Sequence, residues 1–158
     1  MMKSILVLTG AAALLLACRR EPVVKVDPKK AAEISNTWNA RLASPSDLAG
    51  VVQMNGTAKM APGSGDNSTV VSVQLSNAAP GGEHPWEAHR GQCGQDQGVL
   101  GPSEAYEPLK VDSDGRATSS ATLPVATPDK GDYFVLVHAS GANAETIVAC
   151  GNLAPPVH

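Results

Sequence analysis

From Val52 onward the apolar residues recur at every second position in short runs, and Gly, Pro, Asn and Asp close each run. A period of two places successive side chains on opposite faces, so these runs read as strands with one buried face. Val52, Met54, Gly56, Ala58 and Met60 alternate with Gln53, Asn55, Thr57 and Lys59. After a turn at Gly63 to Asn67, Val71, Val73 and Leu75 are assigned inward and Val70, Ser72, Gln74 and Ser76 outward. Asn77 to Gly82 breaks that strand, and His84 to His89 forms the next. Beyond a long excursion containing Gly and Pro, Leu109 to Val111 leads through Asp112-Ser113-Asp114-Gly115 into Ala117, Ser119, Ala121 and Leu123, a hairpin pattern with Asp-Gly at its turn. Tyr133 to His138 and Thr146 to Cys150 are the last runs. About seven short antiparallel strands with no helix between them predict an all-β Greek-key barrel or sandwich over residues 49–154.

Composition agrees with that architecture. One Phe, two Tyr and two Trp leave Val, Ala and Leu to fill the core, and fifteen Gly and twelve Pro suit short strands joined by turns. A net charge of −3 supplies no basic field, which excludes nucleic acid as a partner. No Ser sits in a Gly-x-Ser-x-Gly elbow, and neither a phosphate loop nor a Cys-x-x-Cys pair occurs.

The first 17 residues read as an address. Lys3 supplies the charged start, Ile5 to Leu16 is too short to span comfortably as a permanent helix, and Leu15-Leu16-Ala17-Cys18 closes the run. This stretch resembles the bacterial lipoprotein signal, which implies a lipid anchor on Cys18. Arg19-Arg20 stands where inner-membrane retention would require Asp, so the resemblance implies a domain facing the periplasm from the outer membrane of a Gram-negative host. Residues 18–48 read as a tether. Within it, Asp27-Pro28 has the form of an N-cap and first helical residue, predicting a helix over about 27–43 with Ala31, Ile34, Trp38 and Leu42 on one stripe. That stripe packs on the domain or stiffens the spacer; the alternative is contact with the membrane interface or an envelope partner protein, anchored by Trp38. Residues 155–158 form a tail that leaves His158 exposed.

With Cys18 committed to lipid, Cys93 and Cys150 remain, and in an exported, oxidising compartment their pairing is the default. The closed loop of about sixty residues would stabilise by about 4 kcal/mol in the chain-entropy account.

The densest chemistry lies between His84 and Gly94. Gly82-Glu83-His84-Pro85-Trp86-Glu87-Ala88-His89, then Cys93-Gly94, Val135-Leu136-Val137-His138 and Ala149-Cys150-Gly151 together resemble the copper/zinc superoxide dismutase family in order and approximate spacing. The match covers about Val51 to Leu153. The resemblance implies a Greek-key β-barrel of superoxide dismutase type, copper outside the barrel wall, and a disulfide between Cys93 and Cys150.

Strand alternation puts Glu87 and His89 on the face opposite Trp86 and Ala88, and His138 on the face opposite Tyr133, Val135 and Val137. By resemblance His89 and His138 match two copper ligands. Glu87 occupies the place of a third, a harder anionic donor that disfavours Cu(I). His84 matches a histidine that hydrogen-bonds backbone near the last ligand strand. Between His89 and His138 there is no other His, which removes the bridging ligand and every zinc histidine. The stretch from Gln95 to Pro108 is short beside the family's zinc loop, and Ile147 stands where the Arg that guides superoxide is expected. The expectation is an envelope lipoprotein that has lost dismutase activity and acts as a binding, copper-handling or accessory subunit. The alternative is a copper-only dismutase with an atypical site of His84, Glu87, His89 and His138.

Overall fold

The computed structural model describes residues 36–48 and 53–156, together with Lys25, Asp27, Pro28 and Gly50. The expected signal, Cys18, residues 29–35 of the expected helix and His158 lie outside the described residues.

Among the described residues there are ten strands: β1 (Trp38–Ala43), β2 (Asn55–Pro62), β3 (Thr69–Ser76), β4 (Glu83–His84), β5 (Trp86–Gln92), β6 (Gln95–Val99), β7 (Leu109–Lys110), β8 (Ala117–Leu123), β9 (Tyr133–Ser140) and β10 (Asn143–Leu153). Eight of them form one antiparallel sheet in the order β6-β5-β9-β10-β1-β2-β3-β8, and β4 pairs with β7 apart from it. β3 lies beside β8 although β4 to β7 intervene in the chain, and β5 lies beside β9 by a similar long return. These are Greek-key crossings.

The sheet curls because its inward faces share one core. Val71 and Val73 of β3, Ala121 and Leu123 of β8, Trp86 and Ala88 of β5, and Val135 and Val137 of β9 all join the same buried cluster. The gap between the sheet's end strands β6 and β8 is filled by the segment linking them, which sends Leu100, Tyr106, Leu109 and Val111 into that cluster. The Glu107 carbonyl sews this segment down, accepting from Trp86 Nε1 at 2.8 Å and from Ser119 Oγ at 2.8 Å. Tyr106 stands edge-on to Trp86 at 5.1 Å and donates its hydroxyl to the Leu100 carbonyl. Burial pushes the Tyr106 phenol up, keeping that donor protonated.

Several expectations are corrected. Trp38 to Ala43, placed in a helix by the stripe Ala31-Ile34-Trp38-Leu42, is strand β1, with Trp38, Ala40 and Leu42 buried and Asn39, Arg41 and Ala43 exposed. A spacing of four fits both one helical turn and two strand repeats, so Trp38 and Leu42 alone cannot distinguish them. Pairing with β2 along the whole strand, Trp38↔Met60 to Ala43↔Asn55, decides it. β1 is thus part of the sheet, and the tether expected over 18–48 ends before it. Trp38 is fully buried and donates to the Pro128 carbonyl at 3.0 Å, so it is no surface anchor for a partner.

The run from His84 to His89 is split at Pro85, which has no N–H to give a ladder. β4 pairs with β7, and β5 pairs with β6 and β9. The turn after Val111 forms as expected, with the Asp112 N–H reaching the Arg116 carbonyl at 2.8 Å. The strands flanking it do not continue as a hairpin: β7 joins β4 and β8 joins β3. The stretch from Gln95, expected to be loop, contains strand β6.

Candidate functional site

β5 sets the site by simple alternation. Trp86 and Ala88 are fully buried in the barrel, and Glu87 and His89 project from its outer wall. Their cross-strand partners on β9 are Leu136 and Phe134. His138 follows on the same face, its backbone N–H bonded to the Pro85 carbonyl at 2.8 Å. The directions read from the sequence therefore hold on both strands.

That outer face is covered. Phe134 is 1% and Leu136 3% exposed, yet neither belongs to the interior cluster. The His89 ring packs against Phe134 with centroids 5.3 Å apart. Cys150, the cross-strand partner of Leu136 on β10, carries the disulfide to Cys93, as expected from the sequence. The bridge thus lies beside the face that Glu87 and His89 occupy.

His89 is 6% exposed and held at both ring nitrogens. Nδ1 donates to Asp96 Oδ1 at 2.8 Å, and Nε2 faces Glu87 Oε2 at 3.3 Å. An ionised carboxylate only accepts, so the Asp96 contact requires the proton on Nδ1, and an imidazolium form donates to both acids. Asp96 Oδ1 also accepts from the Gly98 N–H at 2.7 Å. That backbone bond first, and the His89 bond second, hold the Asp96 carboxyl below its ordinary 3.8. The sequence reading missed Asp96 because it took Gln95 onward as loop. The available signal was the Gly94 turn: Gly94 adopts φ +84°, and Gln92 pairs with Gln95 and Gly91 with Asp96 across it.

The lowered Asp96 value has a signed consequence. A depressed carboxyl stabilises the fold above its unfolded value and loses that contribution as pH falls through its lower folded value. Stability measured by urea unfolding between about pH 5 and pH 2 should therefore fall more steeply in the wild type than in Asp96→Asn. Parallel curves would remove Asp96 from the account.

His84 is 6% exposed, and its Nδ1 donates to the His138 carbonyl at 3.0 Å. It therefore bonds backbone at the last strand of the site, tying β4 to β9. A Cβ at Gly82 would stand 3.0 Å from both the Ala79 carbonyl and His84 Nε2, so the ring is wedged against its own turn. His84 Nε2 and His138 Nδ1 are buried without a hydrogen-bond partner among the described residues. Ile147 pairs with His138 across β9 and β10, so no cation is offered there.

The four sequence candidates share a region but do not converge. Among the described residues, no group of three or more His, Cys, Asp or Glu side chains could hold a metal ion. The copper implied by the resemblance does not fit. His89 could offer it Nε2 alone, since Nδ1 carries the proton donated to Asp96, and His84 Nδ1 is committed to backbone. No reaction step is derived through a metal. What the arrangement can do is hold charge: one imidazole fixed between two carboxylates on a covered wall. Compared with known proteins, the chain matches no family model and no curated protein.

Proposed function

We propose that this chain is a cell-envelope lipoprotein whose superoxide dismutase-like barrel has lost dismutase activity and serves as a binding or accessory subunit. The supporting observation is the state of His89, whose ring nitrogens both face carboxylates while Phe134 packs against its ring. Dismutation needs a metal that cycles between two states on soft or borderline donors reachable by the anion. Here Glu87 supplies a hard oxygen, and the residue paired with His138 is Ile147 rather than a guiding cation. Lipid on Cys18 would anchor the domain to the outer membrane with the barrel in the periplasm, and Cys18→Ala should release it to the soluble fraction.

The deciding experiment loads the purified protein with copper and assays superoxide dismutation. Activity no greater than that of free or adventitiously bound copper, unchanged in His138→Ala, is expected. Turnover approaching the diffusional ceiling of about 10⁸–10⁹ M⁻¹s⁻¹ and abolished in that variant would overturn the proposal. A second reading, a copper-only dismutase using His84, Glu87, His89 and His138, is favoured by one observation. The buried His84 Nε2 and His138 Nδ1 lack hydrogen-bond partners among the described residues, and the same assay separates the two.

A further inference from the structure

β6 is an edge strand with almost nothing to hold it by packing. Gln95, Asp96, Gln97 and Gly98 are exposed and Val99 is half-buried, so the strand places no fully buried side chain in the core. Its ladder with β5 is also irregular, the register shifting between His89 and Gly91. The Gly91 N–H turns away to the Asp132 carbonyl, on the far side from β6. An exposed strand with an interrupted ladder frays unless side chains tie it down.

Three side-chain ties are present. At the far end of the strand, Arg90 Nη1 of β5 donates to the Val99 carbonyl at 3.0 Å. At the turn, Cys93 is bonded to Cys150, and its N–H donates to Asn152 Oδ1 at 2.8 Å. Within the strand, the tie is the chain of contacts Glu87–His89–Asp96–Gly98, at 3.3, 2.8 and 2.7 Å. Its two ends differ: Glu87 and His89 stand on β5, whose other edge is fixed to β9, whereas Asp96 and Gly98 belong to β6.

We propose that Glu87, His89 and Asp96 form a metal-independent latch that straps edge strand β6 to β5, with Asp96 as the positioning residue for the imidazole. The latch bond to Asp96 needs the proton on Nδ1, so its closure and metal binding at Nδ1 exclude one another. A metal on Nε2 would displace the Glu87 contact alone and leave the Nδ1–Asp96 bond in place. The donor atoms that resemble a metal site thus become, in this chain, the fastening of a strand.

Amide hydrogen exchange on the mature, disulfide-intact protein tests this directly. His89→Ala and Asp96→Asn should each speed exchange at Gly98 and its β6 neighbours by at least about tenfold, with β9 and β10 unchanged. His89→Asn, whose side-chain amide can present an N–H near the position of Nδ1, should recover much of the protection. Unchanged β6 rates in both of the first two variants, or equal loosening of β6 and β9, would overturn the latch.

A second arm adds Zn²⁺ alone to the wild type while following the His89 ring nitrogens by NMR. Unshifted nitrogens, a shift confined to Nε2 with β6 still protected, or a shift at Nδ1 with faster β6 exchange agree with the latch. A shift at Nδ1 with β6 still protected would overturn it. The readouts are exchange and ring shifts, so they are independent of the dismutation assay.

Discussion

Replacing Cys93 and Cys150 together by Ala is expected to cost the domain about 4 kcal/mol. The bridge spans a sequence separation of 57 residues and joins the β5–β6 turn to β10. In the chain-entropy account a cross-link of that span acts chiefly by restricting the unfolded chain. Small domains are stable by only about 5–15 kcal/mol, so the loss would be a large fraction of the total. Urea unfolding of the oxidised protein and the double variant should show the midpoint falling sharply. The m-value should rise, because the unfolded chain without its link exposes more surface. A difference under about 1 kcal/mol would show that the reduced chain keeps comparable order or that bridging strains the fold. The effect on β6 should be separable from the latch: the bridge sits at the turn, and the latch lies within the strand.

Trp38→Ala should be as damaging, at about 3–5 kcal/mol. Trp38 is fully buried, stands edge-on to Tyr133 with centroids 5.4 Å apart, and donates its indole N–H to the Pro128 carbonyl. Truncation would remove the ring, leave a cavity between β1 and β9, and strand the Pro128 oxygen. Trp38→Phe keeps much of the packing and loses the hydrogen bond, so a smaller loss of about 1–3 kcal/mol is expected. Chemical denaturation of the three proteins checks the ordering. A surface anchor would behave otherwise: its removal would leave stability within about 0.5 kcal/mol and change only membrane or partner binding. A stability change that small would return residues 38–43 to the tether.

The parts of the site that were legible in the sequence are those governed by alternation alone. Trp86 and Ala88 against Glu87 and His89, and Val135 and Val137 against His138, follow from the period of two in any strand. Asp96 was not legible, because its role depends on a hairpin whose only cues were Gly91 and Gly94 within a polar run, and whose ladder is irregular. β1 was misread for a related reason. Its apolar spacing satisfied two periods, and an Asp-Pro pair upstream offered a plausible helix start.

Local pattern therefore determined, without coordinates, that this chain is an all-β domain with Glu87 and His89 on the face opposite Trp86 and Ala88, while the pairing of Cys93 with Cys150 was expected from the cysteine count, the exported compartment and the family resemblance. Side-chain direction and turn chemistry are properties of neighbouring residues, and they can be read along the chain. The tertiary structure decided which strands are neighbours: β7 beside β4 rather than β8, β1 inside the sheet rather than in the tether, and β6 against β5. Those choices are made by backbone hydrogen bonds and apolar burial between residues far apart in sequence, which no local period encodes. The same nonlocal pairing brings Asp96 to His89, turning a set of apparent metal ligands into a closed carboxylate–imidazole–carboxylate contact.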